Sequence, residues 1–124
     1  MNSFRTTTVL LALALALAAC GGGEGGSDEA ADAIDGTIQI EASDLAFDHE
    51  QISAPSGEVE IELNNIGAAE HDFVVAEAGD EIVVTAGPGE TATGSIELEP
   101  GTYTFYCSVP GHREAGMEGT LEVQ

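Results

Sequence analysis

The sequence predicts an all-β domain, a sandwich or barrel of short strands, on three observations. From Gly36 to the C-terminus, apolar and polar residues alternate with period two. Turn-forming groups, Pro55-Ser56-Gly57, Gly87-Pro88-Gly89 and Pro100-Gly101, break that alternation at short intervals. No segment of this region carries a long helical stripe. The composition agrees: 43% of residues are hydrophobic, yet there is no Trp and few Phe or Tyr, so Val, Ile, Leu and Ala must build the core. Many short strands at this spacing belong to sandwiches and barrels.

Taken in order, Ile38, Ile40 and Ala42 alternate with Gln39 and Glu41. Val59, Ile61 and Leu63 alternate with Glu58, Glu60 and Glu62, the clearest strand of the chain. Residues 73–76, 82–85, 95–98, 102–107 and 120–123 continue the series. In 102–107 the parity matters for chemistry. Tyr103, Phe105 and Cys107 share one face, and Thr102, Thr104 and Tyr106 share the other. The aromatics mark the first face as the core face, so Cys107 points inward where the chain leaves the sheet.

Residues 1–19 read as a secretory signal: Arg5 supplies positive charge and a short Leu/Ala-rich run follows. The run is shorter than the roughly 20 residues that span a bilayer. Leu17-Ala18-Ala19-Cys20 resembles the lipobox of bacterial lipoproteins, which implies that Cys20 is lipidated and becomes the mature N-terminus. Residues 20–35 are then expected to be a flexible, Gly-rich acidic tether, and residues 36–124 the folded domain. The expected location is the extracytoplasmic face of the cell membrane, with the lipid as anchor.

The chain has no Lys and two Arg against 23 Asp and Glu. With Arg5 removed, one Arg faces those 23 acids, a formal charge of −22. Such a surface repels phosphate backbones and excludes nucleic-acid binding. It suits a basic partner and a high-salt habitat equally well.

Cys107, His112 and Met117 form a Cys-x4-His-x4-Met run, with Pro110, Gly111 and Gly116 shaping the loop between them. His71 lies at the end of another strand region and can arrive from the opposite side. Two imidazoles, a thiolate and a thioether match a copper ion in a His2Cys plane with a weak axial Met. After signal removal Met117 is the only Met and Cys107 the only unlipidated Cys, which opposes coincidence. His49 reads as a surface residue. A Cys20–Cys107 disulfide would have to cross the tether, and each cysteine has a better role.

These residues carry a family resemblance. Residues 103–112, Tyr-Thr-Phe-Tyr-Cys-Ser-Val-Pro-Gly-His, and 116–121, Gly-Met-Glu-Gly-Thr-Leu, resemble the copper loop of plastocyanin/azurin-type cupredoxins. Asn64-Asn65 before His71 and the turn at Pro100-Gly101 fit the same family. The resemblance implies a Greek-key β-sandwich holding one copper ion on His71, Cys107, His112 and Met117. It also implies that His112 lies nearest solvent as the electron port, rimmed by Val109, Pro110 and Ala115. The sequence departs in two places: Asp72 stands where many members have Asn, and the Cys-to-His spacing exceeds that of plant-type plastocyanins.

Competing chemistries fit less well. Structural zinc sites close with more thiolates or imidazoles than this set offers. A Cys-His hydrolase needs an accessible thiolate, and Cys107 faces the core. Tyr106 and Ser108, not His, flank Cys107, and Gly111 stands where a binuclear site needs a second Cys. Four protein ligands leave no open position for substrate, so the chain is read as an electron carrier and not an enzyme. The alternative is copper storage or delivery, which copper handover to an acceptor would reveal. The expected partners are redox proteins, such as a basic cytochrome or a membrane oxidase or reductase, met by a monomer.

Overall fold

A computed structural model describes residues 30–124. The signal, Cys20 and most of the tether lie outside the described residues. Among the described residues the strands are β1 (Ala31–Asp32), β2 (Thr37–Ser43), β3 (Ala46–Phe47), β4 (Gln51–Ala54), β5 (Gly57–Asn65), β6 (His71–Val75), β7 (Glu81–Ala86), β8 (Thr91–Leu98), β9 (Gly101–Tyr106) and β10 (Glu118–Val123). A 3₁₀ turn, Ala76–Ala78, links β6 to β7. One sheet has the order β1-β4-β10-β9-β6-β7 and the other β3-β2-β5-β8. The two curl around one core as the expected Greek-key sandwich.

The period-two patterns bury the faces they predict. Ile38, Ile40 and Ala42 from β2, and Val59, Ile61 and Leu63 from β5, point into the core. Opposite them stand Phe73, Phe105 and Leu121. Phe73 and Phe105 stack with centroids 4.9 Å apart, and Phe47 tilts against both. Fully burying one such side chain contributes roughly 1.5–3 kcal/mol, so this cluster anchors the sheet that carries the candidate ligands.

Three strands escape the sequence patterns. β1 and β3 have two residues each and β4 four, too short for alternation to register. β1 also corrects the expected tether, because residues 31–35 do not run free. Ala31 and Asp32 pair in parallel with Ile52 and Ser53 on the open edge of β4. Asp35 and Gly36, both at positive φ (54° and 82°), then turn the chain so that Ile34 and Thr37 exchange two hydrogen bonds of 3.0 Å. An Asp-Gly pair suits such a tight turn.

β7 also departs in part. A register shift opposite Phe73 and Val74 leaves Ile82 exposed while Val84 and Ala86 point inward.

The topology gathers the site. β6 and β10 both flank β9 and run antiparallel to it. Hence the start of β6, the end of β9 and the start of β10 meet at one end of the sheet. His71 opens β6, Cys107 follows β9 and Met117 precedes β10.

Candidate metal centre

The loop from Cys107 to Met117 is a series of turns closed at its base. The Cys107 N–H donates to the Met117 carbonyl at 3.0 Å. Within it, His112 N–H donates to Val109 O, Gly116 N–H to Arg113 O, and Met117 N–H to His112 O, at 3.0, 3.0 and 3.1 Å. Gly111 and Gly116 hold φ of 87° and 112°, which a side chain would strain. The two glycines noted in the sequence are therefore what folds the loop back.

Folding it this way brings three donors together. Cys107 Sγ lies 3.5 Å from His112 Nδ1 and 3.9 Å from His71 Nδ1, and the two imidazole nitrogens are 3.2 Å apart. His71 and Cys107 are buried and His112 is half-buried. Met117 is fully buried in the same core cluster. Two imidazole nitrogens and one thiol gathered together, with buried Met117 hydrogen-bonded through its carbonyl to Cys107, match a mixed soft donor set for a transition metal. The residues present therefore fit a bound metal ion.

The electrostatics agree. Burial pushes the His71 pKa down, and the neighbouring His112 adds to the effect. Burial pushes the Cys107 thiol up. Without metal the site thus favours neutral imidazole and protonated thiol, and a cation entering it displaces the thiol proton. The second nitrogen of His71, Nε2, is buried without a hydrogen-bond partner. It faces Gly67, where an added Cβ would come within 3.0 Å of it.

Other predicted residues fall where their chemistry suggests. Val109 packs against the core, while Pro110 and Ala115 stay exposed on the loop beside His112. His49 pairs with Asp48 at 3.4 Å and is not among the gathered donors. Cys20 lies outside the described residues.

Three supporting residues emerge from the structure. Asp72 is buried, and its carboxylate accepts the Ser108 N–H at 2.6 Å and the Ser108 hydroxyl, so it ties β6 to the residue after Cys107. Asn65 is buried with its amide satisfied: Nδ2 donates to Ala69 O and Ala86 O, and Oδ1 accepts from Gly67 N–H. Asp44 accepts from Ala68 N–H at 2.7 Å. Asn65 and Asp44 together fix the turn that leads into His71. Asn65 continues the inward parity of Val59, Ile61 and Leu63, and with Asn64 it already stands out in the sequence through the family resemblance. Asp44 has no such signal among so many acids.

A family model of the cupredoxin-like domain matches residues 8–123. The chain belongs to the cupredoxin-like family. Among cupredoxin-like relatives, plastocyanin of Nostoc punctiforme (strain ATCC 29133 / PCC 73102) is 46% identical over 44 residues, 36% of this chain and 30% of that protein's length. Reduced auracyanin from Roseiflexus castenholzii superposes with a TM-score of 0.60 at 26% identity, covering 71% of this chain and 96% of that one. Auracyanin A of Chloroflexus aurantiacus, a "blue" copper protein, gives 0.59 at 26%, covering 71% and 98%. A multicopper oxidase at 19% identity and a TM-score of 0.58 shares the fold alone.

Proposed function

We propose that the chain is a mononuclear type 1 copper protein that passes single electrons between redox partners and catalyses no reaction of its own. The observation that carries this reading is the convergence of His71 Nδ1, Cys107 Sγ and His112 Nδ1 beside buried Met117. Copper bound there would supply a one-electron Cu(I)/Cu(II) couple suited to this donor set. Burial of Cys107 and Met117 keeps water from the sulfur donors. Half-buried His112 leaves an edge for a partner to approach, with Pro110 and Ala115 beside it. Adding Cu(II) to the full chain and recording visible and EPR spectra tests the reading. An intense blue absorption is expected, and a colourless, type-2-like spectrum rejects it.

Asp72 bears on the potential. Its carboxylate sits beside the ligand loop, where negative charge favours the more positive metal state. Asp72→Asn keeps the shape and removes the charge, so the reduction potential rises. The expected rise is on the order of 59 mV, a tenfold change in a one-electron equilibrium. Redox titration reads it, and an unchanged or lower potential rejects the assignment.

The reading includes a lipid anchor at Cys20, supported by Leu17-Ala18-Ala19-Cys20 directly after the apolar run. Cys20→Ser is expected to move the protein from the membrane fraction to the soluble extracytoplasmic fraction without bleaching it. Mass spectrometry finding an unmodified Cys20 removes this part of the proposal. The acidic surface suits a basic redox partner, so electron-transfer rates fall as salt rises and the Debye length shrinks to about 8 Å. Stopped-flow rates that are flat with salt point to apolar docking instead.

A further inference from the structure

The described residues contain one Arg and no Lys, and that Arg is not free. The Arg113 guanidinium carbon lies 4.0 Å from the centroid of the Tyr106 ring. Its Nε donates to Glu118 Oε2. Tyr106 in turn donates its hydroxyl to Asp80 Oδ1 at 2.8 Å. The chain positions give the cluster its meaning: Tyr106 precedes Cys107, Arg113 follows His112, and Glu118 follows Met117. Tyr106 and Glu118 also face each other across the β9–β10 ladder. Because neighbours on a strand point to opposite faces, the Tyr106 ring lies outside while the Cys107 thiol lies inside. One guanidinium therefore joins the outer neighbours of all three donors that the loop contributes.

We propose that Arg113 is a positioning residue that clasps the ligand loop from outside and sets the relative placement of Cys107, His112 and Met117. The clasp rests on the reading of those residues as metal ligands only for its spectroscopic consequence. Its mechanical part concerns the chain alone. Asp72 ties the first half of the loop to β6 through Ser108. The second half, residues 111–116, makes its backbone hydrogen bonds within the loop itself. Exposed turns held only by their own hydrogen bonds open readily, so an external tie at Arg113 has something to hold. Neither interaction is strong alone, since an exposed ion pair and an exposed cation–π pair are each modest. A Lys ammonium could make either contact alone, but making both at once uses the planar guanidinium, whose face stacks on Tyr106 while its Nε–H reaches Glu118.

The test uses amide hydrogen exchange on the metal-free full chain, together with visible and EPR spectra after Cu(II) loading. Arg113→Lys keeps the charge and loses the fork. Exchange at Ala115, Gly116 and Met117 is expected to quicken about tenfold, on the scale of the ion pair and the cation–π interaction combined. Amides of β2 and β5 should stay unchanged, and the copper spectrum should shift in band position or hyperfine splitting. Tyr106→Phe keeps the ring under the guanidinium and should leave the loop protected. Equal loop exchange in Arg113→Lys and the unmodified chain overturns the proposal. So does acceleration shared equally by β5, which marks general destabilisation. If the unmodified chain loads copper without turning blue, the copper reading fails while the exchange result still decides the clasp.

Discussion

Cys107→Ser is expected to abolish the blue absorption and to lower copper affinity more than about a hundredfold, beyond the 10- to 100-fold typical of groups that only support ligands. The thiol stands at the end of β9 on the core face, 3.5 Å and 3.9 Å from the two imidazole nitrogens. Its burial favours the protonated form until a metal arrives. A serine hydroxyl stays protonated at neutral pH and is a hard donor, so it cannot replace a soft thiolate in this set. The substitution is small, and a thermal melt of the metal-free protein should show the fold intact. Spectrophotometric titration with Cu(II) reads the loss. A variant that keeps both the colour and the affinity would place the metal elsewhere and remove Cys107 from the site.

How far the sequence reveals this site depends on how local each signal is. The Cys107-to-Met117 loop was legible because one short segment carries three donors, two turn glycines and the parity that turns Cys107 inward. The fold was legible for the same reason in β2 and β5, where one face is buried and the other wet. β6 shows the limit. All five of its residues are buried, so period two vanishes, and the strand is recognised by its apolar run alone. β1 and β4 depend on pairing between distant segments, which no local pattern encodes. The clasp was illegible too. In the sequence Arg113 is only the residue after His112, and nothing local places it over Tyr106 and against Glu118. Asp72 stood out in the sequence only as a departure from the family's Asn. Its two hydrogen bonds to Ser108 explain why a carboxylate serves there.

Gly119→Ala carries the second large expected effect, and it links the core to the metal centre. Gly119 faces Phe105 across the β9–β10 ladder, and the ring lies over it. A Cβ there would come within 2.3 Å of Phe105 Cζ and 2.5 Å of the Glu50 carbonyl oxygen. Neither neighbour can retreat. Phe105 is fully buried and stacked on Phe73, and Glu50 O is main chain that already accepts the Thr120 N–H at 2.8 Å. Overpacking a tight core typically costs about 1–3 kcal/mol, and rigid neighbours put this site near the upper end. For a domain of this size each kcal/mol lowers the midpoint by roughly 4–8 °C, so melting falls by about 10–20 °C. The strain also reaches the ligands. Displacing Gly119 moves the start of β10, and Met117 two residues before it is bonded to the Cys107 N–H. The copper spectrum should therefore change along with the melting point. Gly101→Ala is the control, because its nearest neighbour would be an ordinary contact at 3.6 Å. Thermal melts of the two variants decide the matter. If Gly119→Ala melts with Gly101→Ala and the unmodified chain, the close seating of Phe105 on β10 is wrong, and Met117 is not held through it.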